Sequence, residues 1–338
     1  MTTRPPNTSE SAPSHPQTEP PPNKRTAEDS LLDPSSKRCC LPQISLTLFR
    51  LYVHPWLWTA RHLELLGYQF VRSSNGQFRD QTQHQCQEEP PTSLRLPSKK
   101  RIYALLNYLR FPVCRGSKAG GIKRFFEEYG VAWGRTSPLK LYFERQAVAT
   151  IRPSSIFFHP SRGPNLVFLD LARLKRHRDN YIGLSMVNDI SGPVWHIKQK
   201  KQRRLQPANE AEDPYVVTAL IALAQGVYYM DQRRKQTMDS SSEHLEPVST
   251  SLDPSAIPVP AADYNVRLLA FSEDGETLYF YTASIPLTSI RMFDNPSHYY
   301  DNNGVRVHYY SIKVTPCEES EESIKDMLRN LVLVKNFI

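Results

Sequence analysis

The chain has 338 residues, of which 39% are hydrophobic, and this is enough to bury a sizeable core without disulfides or a structural metal. The net charge of +8 predicts an acidic partner such as nucleic acid; a merely solvated basic surface is the alternative. Five cysteines without repeated spacing exclude a disulfide framework and a zinc motif. The longest apolar run, Val216 to Ala224, is shorter than the ~20 residues of a membrane helix. With no apolar secretory segment at the N-terminus, we expect a soluble protein, nuclear or cytoplasmic, that does not associate with membranes.

Residues 1–42 consist largely of Pro, Ser, Thr and charged residues. They offer little to bury, so we expect a disordered tail. Two basic pairs within it resemble a bipartite nuclear localisation signal, and ordinary tail charge is the alternative interpretation. The pairs are Lys24, Arg25, Lys37 and Arg38.

The rest of the chain predicts one mixed α/β body, made of residues 43–235 and 263–338. Residues 236–262 are rich in Ser, Pro and Glu and show no periodicity, which predicts a mobile linker. The expected fold class is α/β or α+β, with a mixed β-sheet flanked by helices.

A short helix is predicted after Gly121, with Phe125 and Phe126, and ends at Gly130. Three further helices are predicted in the first part of the body. One covers about 56–67 and ends at Gly67. A second begins after Ser98 as its N-cap and extends to Arg110. The amphipathic segment 138–151 is the third.

A glycine-containing segment lies between the second and third of these helices. Gly116 to Lys123 resembles a phosphate loop, but Ile122 stands where the motif requires a lysine. A glycine nest can still bind an anion, although a connector ahead of a short helix is the simpler interpretation.

The middle of the chain alternates short apolar runs with Pro, Gly and Asp, which predicts strands and turns. The predicted strands are 155–159, 166–169, 181–187 and 193–198. A long helix follows over 213–235, with Asp213 as N-cap and Pro214 in the first turn.

The C-terminal part predicts a hairpin, a strand and a helix. The hairpin pairs 264–271 with 277–285 around an acidic turn that contains Gly275. The strand is 305–314, and an amphipathic helix covers about 318–334.

Two sets of fragments in the last ~130 residues resemble a family of hypothetical proteins of filamentous fungi. One runs from Asp213-Pro214-Tyr215-Val216-Val217 through Ala222-Leu223-Ala224-Gln225, and the other from Val266-Arg267-Leu268-Leu269 through Phe280-Tyr281-Thr282-Ala283. The resemblance implies no activity.

The segment from Asn188 to Ile285 also resembles the core of the PD-(D/E)xK nuclease superfamily. That core contains, in order, an acidic residue, a strand ending in (D/E)-x-K, a helix and a further strand. In this chain, Asp189 precedes a predicted strand that ends at Lys198. The resemblance implies that carboxylates bind Mg²⁺ and that the lysine activates water.

One position of this nuclease motif departs from the pattern. His196 occupies the place of the second carboxylate, and imidazole suits softer metals than Mg²⁺. Gln225 and Tyr229, one helical turn apart, match a pair found on the helix of some relatives. The resemblance therefore implies a degenerate core, with Asp189, His196, Lys198 and Gln225 as its site. The alternative is that Val194, Trp195 and Ile197 belong to a core strand with His196 on its exposed face, and that Gln225 is an exposed helix position.

The strongest electrostatic feature is a set of basic residues between positions 173 and 204. Such residues neutralise phosphates, and Tyr181 and Trp195 nearby can stack on bases. The set is Arg173, Lys175, Arg176, Arg178, Lys198, Lys200, Lys201, Arg203 and Arg204. We therefore expect a non-enzymatic protein without a cofactor that binds DNA, RNA or a protein partner; a Mg²⁺-dependent nuclease is the alternative.

Overall fold

The computed structural model describes residues 53–73, 96–110, 117–129, 138–159, 163–184, 192–239, 263–296 and 304–332. The predicted tail, 1–42, and residues 240–262 of the predicted linker lie outside the described residues. The linker prediction was wrong for residues 236–239, because the long helix continues to Asp239.

The described residues form eight α-helices and eight strands. The helices are α1 (Ala60–Leu66), α2 (Lys99–Arg110), α3 (Ser117–Glu128), α4 (Leu171–Tyr181), α5 (Gly192–Leu205), α6 (Pro214–Asp239), α7 (Leu287–Asp294) and α8 (Glu318–Val332). The strands are β1 (Tyr68–Arg72), β2 (Leu139–Phe143), β3 (Gln146–Ile151), β4 (Ser155–His159), β5 (Gly163–Asp170), β6 (Asp263–Phe271), β7 (Thr277–Pro286) and β8 (Val305–Lys313).

Six strands form one mixed sheet in the order β1-β8-β7-β6-β5-β4. The β1–β8 and β5–β6 pairs are parallel, and the other neighbours are antiparallel. Helices flank the sheet, so the predicted fold class and the 264–285 hairpin are confirmed.

Both faces of the sheet are buried. Along β5, Val167 and Leu169 pack with α6, α1 and the β2–β3 hairpin, whereas Leu166 and Phe168 pack with α2, α3 and α8. Successive strand residues point to opposite faces, so this alternation produces a helix–sheet–helix arrangement.

Helix α6 is the buried centre of the first face. Asp213 caps its N-terminus as predicted, since one side-chain oxygen accepts the Tyr215 amide at 2.8 Å. The residues from Val216 to Ala224 are all buried, which explains why this segment is apolar on every side.

The predicted helix over 138–151 is instead the β2–β3 hairpin. Its two turn residues, Glu144 and Arg145, have left-handed φ values of 50° and 61°. Such turns normally carry Asn or Gly, so the sequence has no turn signal here. The prediction followed the amphipathic pattern alone and was wrong.

The predicted strand 193–198 was also wrong, and so was the predicted strand 181–187 over its described residues, 181–184. Tyr181 ends α4, and residues 193–198 belong to α5; residues 185–191 lie outside the described part of the chain. Short runs containing Val, Trp and Ile favour strands, but the Lys, Gln and Arg residues that follow are good helix formers. In the helix, Trp195 and Leu205 pack toward Ile182 and Leu184.

Candidate functional site

The candidate site lies where β5 ends and α4 begins. Asp170 is the last residue of β5, and its side chain accepts the backbone amide of Arg173 at 3.0 Å as the α4 N-cap. Asp170 pairs with Phe271, the last residue of the parallel strand β6. The site is therefore at the carboxyl edge of two parallel strands, where α/β sheets commonly form binding crevices.

Two adjoining cavities open along this edge, with volumes of about 470 and about 450 Å³. They share Ser154, Asp170, Arg173 and His177. We call these two cavities together the α4 groove. Their volumes fall within the roughly 300–1,000 Å³ of ligand-binding clefts.

Cationic side chains from three parts of the chain line the α4 groove. Arg152 follows β3 and lines the first cavity, Arg176 and Lys118 line the second, and Arg173 lines both. All three arginines are exposed. Among the described residues that line the groove, Asp170 is the one carboxylate, so the groove suits an anion.

Lys118 occupies an unusual position at the edge of this groove. Its ammonium lies 3.8 Å from the centre of the Phe271 ring, a cation–π contact. Burial lowers the pKa of Lys118, and the nearby Asp170 carboxylate acts in the opposite direction. A partly desolvated ammonium beside a cavity interacts with an anion more strongly than one in water.

His177 lies among the arginines of the groove. Burial, and then Arg173, Arg176 and Arg152, lower its pKa. Its Nε2 atom accepts a hydrogen bond from Arg173 Nε at 3.3 Å, which requires an unprotonated Nε2. This hydrogen bond therefore favours the neutral form of His177.

Four aromatic rings form a cluster at one end of the groove. Trp56 stacks on His177 with a 2° interplanar angle and a 5.5 Å centroid distance. His54 stacks on Tyr181 at 5.3 Å and contacts Trp56 at 4.3 Å. We call Trp56, His54, His177 and Tyr181 the aromatic cluster. The first three line the first cavity. Tyr181 contacts Trp56 edge-on at 5.5 Å and has 47% of its surface exposed.

A second basic surface is formed by α5. Lys198 Nζ donates to the Gly183 carbonyl at 2.9 Å, and Gln202 donates to Asp179 of α4 at 2.7 Å. These bonds fix α5 beside the C-terminal half of α4. The four remaining predicted cations of this helix are exposed: Lys200, Lys201, Arg203 and Arg204.

The predicted basic set is therefore divided by the structure. Arg173 and Arg176 line the groove, and Lys198 holds α5 in place. Lys175 is ion-paired with Glu273. Arg178 was a wrong prediction for the binding surface, because it is buried in an ion pair with Asp213.

Sequence reasoning missed Lys118, Arg152, His54, Trp56 and His177 as site residues. Lys118 lies in the glycine-containing segment, whose Gly120 and Gly121 belong to α3 itself and do not form a loop ahead of it. No local pattern marks Arg152, because it meets α4 only through the tertiary fold.

The residues of the nuclease-like hypothesis occupy different environments. Asp189 lies outside the described residues. His196 is exposed on α5. This segment is a helix, whereas the motif requires a strand here. Gln225 is fully buried, and its amide bonds the backbone N–H and C=O of Tyr142 at 2.9 and 3.0 Å. The prediction that Gln225 is an exposed helix position was therefore wrong.

Within the described ranges, no three His, Cys, Asp or Glu side chains are grouped as ligands for a metal ion. The nuclease hypothesis stays a prediction, because Asp189 is not described. The basic pairs of the tail, Lys24, Arg25, Lys37 and Arg38, also lie outside the described residues.

In the part of the chain that the structure describes, no helix has the length and apolar character needed to cross a membrane. Comparisons with protein-family models, with curated proteins and with solved structures found no match for this chain.

Proposed function

We propose that this protein binds nucleic acid through the α4 groove and the exposed basic face of α5. The observation that carries the proposal is the convergence of Lys118, Arg152, Arg173 and Arg176 on one groove beside aromatic rings. Phosphate oxygens are bound by such arginine and lysine groups, and flat rings accept bases.

The charge balance around the groove supports this proposal over a structural role for these cations. Lys175 and Arg178 of α4 have carboxylate partners, Glu273 and Asp213, and so contribute to the fold. Arg173 and Arg176 are exposed on the groove side of the same helix. Exposed guanidinium groups suit bidentate contacts with phosphate.

Fluorescence anisotropy with labelled DNA and RNA oligonucleotides at low and high salt tests the proposal. If the four groove cations each neutralise one phosphate, affinity for a single strand falls about 50-fold between 50 and 200 mM salt. The variant Arg173→Ala/Arg176→Ala should bind weakly and show a shallower salt dependence.

The matched control removes two cations away from the groove. Arg101 and Lys313 are exposed and paired with Glu128 and Glu319, so Arg101→Ala/Lys313→Ala changes the net charge equally. Absence of binding to DNA and RNA at 50 mM salt would overturn the proposal. Equal losses in both double variants would assign the binding to net charge and not to the groove.

Adding Mg²⁺ or Mn²⁺ to the same oligonucleotides tests the nuclease hypothesis separately. Cleavage that disappears in Asp189→Ala and in Lys198→Ala would support it. Cleavage that persists in both variants would exclude that site.

We also propose that the tail directs the protein to the nucleus, in agreement with a nucleic-acid partner. The support is the spacing of the two basic pairs. A fluorescent fusion with Lys24, Arg25, Lys37 and Arg38 all replaced by Ala should lose nuclear accumulation. Unchanged accumulation would contradict this role of the tail.

A further inference from the structure

The aromatic cluster has features that packing alone does not require. Tyr181 is the last residue of α4 and has 47% of its surface exposed. Trp56, His54 and His177 line a cavity that opens to solvent. Parts of the Trp56, His54 and His177 rings therefore face the first cavity, and part of the Tyr181 ring is open to solvent.

Trp56 is held through its backbone and through its ring. Its carbonyl accepts from Arg178 Nε at 3.1 Å, and its amide donates to His54 Nδ1 at 3.3 Å. Its ring stacks on His177 with a 5.5 Å centroid distance. A ring held in this way loses little conformational entropy when another ring stacks on it.

The concave shape of the site decides which form of nucleic acid it suits. Duplex DNA is read by protruding elements, helices or strands, that enter its grooves. Here the cations and rings line two cavities of about 470 and about 450 Å³, recessed into the protein surface. Unpaired bases can enter such cavities, whereas paired and stacked bases within a duplex cannot.

The positions of the charges agree with a strand that continues past the rings. Arg173 lines both cavities, Arg152 lines the cavity that contains Trp56, and Lys118 and Arg176 line the other. Cations thus extend beyond the aromatic cluster along the groove. A positively charged groove with aromatic platforms is the usual arrangement for binding single strands.

From these observations we infer that the ligand of the α4 groove is single-stranded nucleic acid, with bases stacked on Trp56 and Tyr181 and phosphates bound by Lys118, Arg152, Arg173 and Arg176. This inference rests on the proposed function and specifies its substrate class. Stacking on ring faces is tolerant of base identity, so binding is expected to depend weakly on sequence.

The test compares three labelled probes of equal length at one salt concentration: a thymine single strand, a single strand with abasic sites at every position, and a duplex. The abasic probe carries the same phosphates without bases. We expect the thymine strand to bind at least about 10-fold more tightly than either of the others, since one stacked base contributes roughly 5- to 150-fold in affinity.

Trp56→Ala and Tyr181→Ala should each reduce affinity for the thymine strand and leave the abasic probe unchanged. Trp56→Phe and Tyr181→Phe keep a ring and should retain most of the affinity. Tyr181 is half-exposed, so its variants keep the test valid if Trp56→Ala does not fold, which a thermal melt monitored by circular dichroism will show.

The outcomes separate the inference from the proposed function. If the protein binds the abasic probe or the duplex as tightly as the thymine strand, stacking is excluded, while phosphate binding by the groove stands. If no probe binds at 50 mM salt, both the inference and the proposed function are overturned. An equal loss for all probes in Tyr181→Ala would also contradict base stacking.

Discussion

Arg178 and Asp213 form a buried, bidentate ion pair beneath the candidate site. One guanidinium nitrogen donates to Asp213 Oδ1 at 2.6 Å, the other terminal nitrogen bonds Oδ2, and Nε donates to the Trp56 carbonyl. Asp213 also caps α6. The pair therefore links α4 and α6 to the segment that carries His54 and Trp56 of the aromatic cluster.

Removing either partner of this pair should destabilise the protein strongly. Arg178→Ala or Asp213→Ala leaves a buried charge without a partner, and we expect a loss of about 3–5 kcal/mol in the free energy of unfolding. Urea unfolding followed by circular dichroism measures it. Arg61→Ala breaks an exposed pair with Glu64 and should change stability by less than about 1 kcal/mol. Equal effects of Arg178→Ala and Arg61→Ala would contradict the structural role of Arg178.

Gln225 is expected to contribute to the fold and not to a reaction. Its side chain bonds both backbone groups of Tyr142, so Gln225→Ala leaves these partly buried groups unsatisfied. We expect a loss of about 1–3 kcal/mol in unfolding free energy, with unchanged affinity for oligonucleotides. A variant of normal stability with altered binding or cleavage would show that Gln225 belongs to a functional site.

The β2–β3 turn offers a stabilising substitution. Glu144 and Arg145 adopt left-handed φ values, which cost roughly 1–2 kcal/mol for each residue with a side chain. Asn and Gly are the favoured pair in such turns. Glu144→Asn/Arg145→Gly should therefore raise the unfolding free energy by about 1 kcal/mol. A lower thermal midpoint for this variant would contradict the hairpin and favour the helix that the sequence predicted.

Binding to the α4 groove should strengthen as the pH falls toward the pKa values of His177 and His54, which lie below the ordinary value for histidine. The pKa values of His177 and His54 are lowered, in both cases chiefly by burial. A phosphate near these rings favours their charged forms, so binding is coupled to proton uptake. Anisotropy titrations at several pH values should show this trend, and His177→Gln should reduce it. An affinity that is constant between pH 7 and 5 would contradict phosphate contact with these rings.

The same histidines predict the opposite trend for the stability of the free protein. Because their folded pKa is depressed, the unfolded chain binds more protons once the pH falls below about 6.5. The unfolding free energy should therefore decrease from that pH downward to the folded pKa, and His308 adds to the effect because burial and Arg306 lower its pKa. Thermal melts between pH 7.5 and 5 measure the trend, and His177→Gln should weaken it.

Much of the fold followed from local patterns in the sequence. Asp213 and Pro214 mark the start of α6, Gly67 ends α1 in a left-handed conformation, and the apolar runs of β6 and β7 identify the hairpin. These signals depend on a few neighbouring residues, so they can be recognised without the fold. The residues of α5 are compatible with a strand and with a helix, so local signals did not distinguish between the two.

The sequence by itself determined that the chain is basic and that α4 and α5 carry many cations. Which of those cations remain available for binding was decided only by the tertiary structure. Arg178 shares the buried stripe of α4 with Leu171 and Leu174, and Asp213, 35 residues away, neutralises it. Lys118 and Arg152 reach the groove because α3 and β3 pack near the end of β5. Charge is a property of composition, whereas its availability depends on contacts between segments that are distant in sequence.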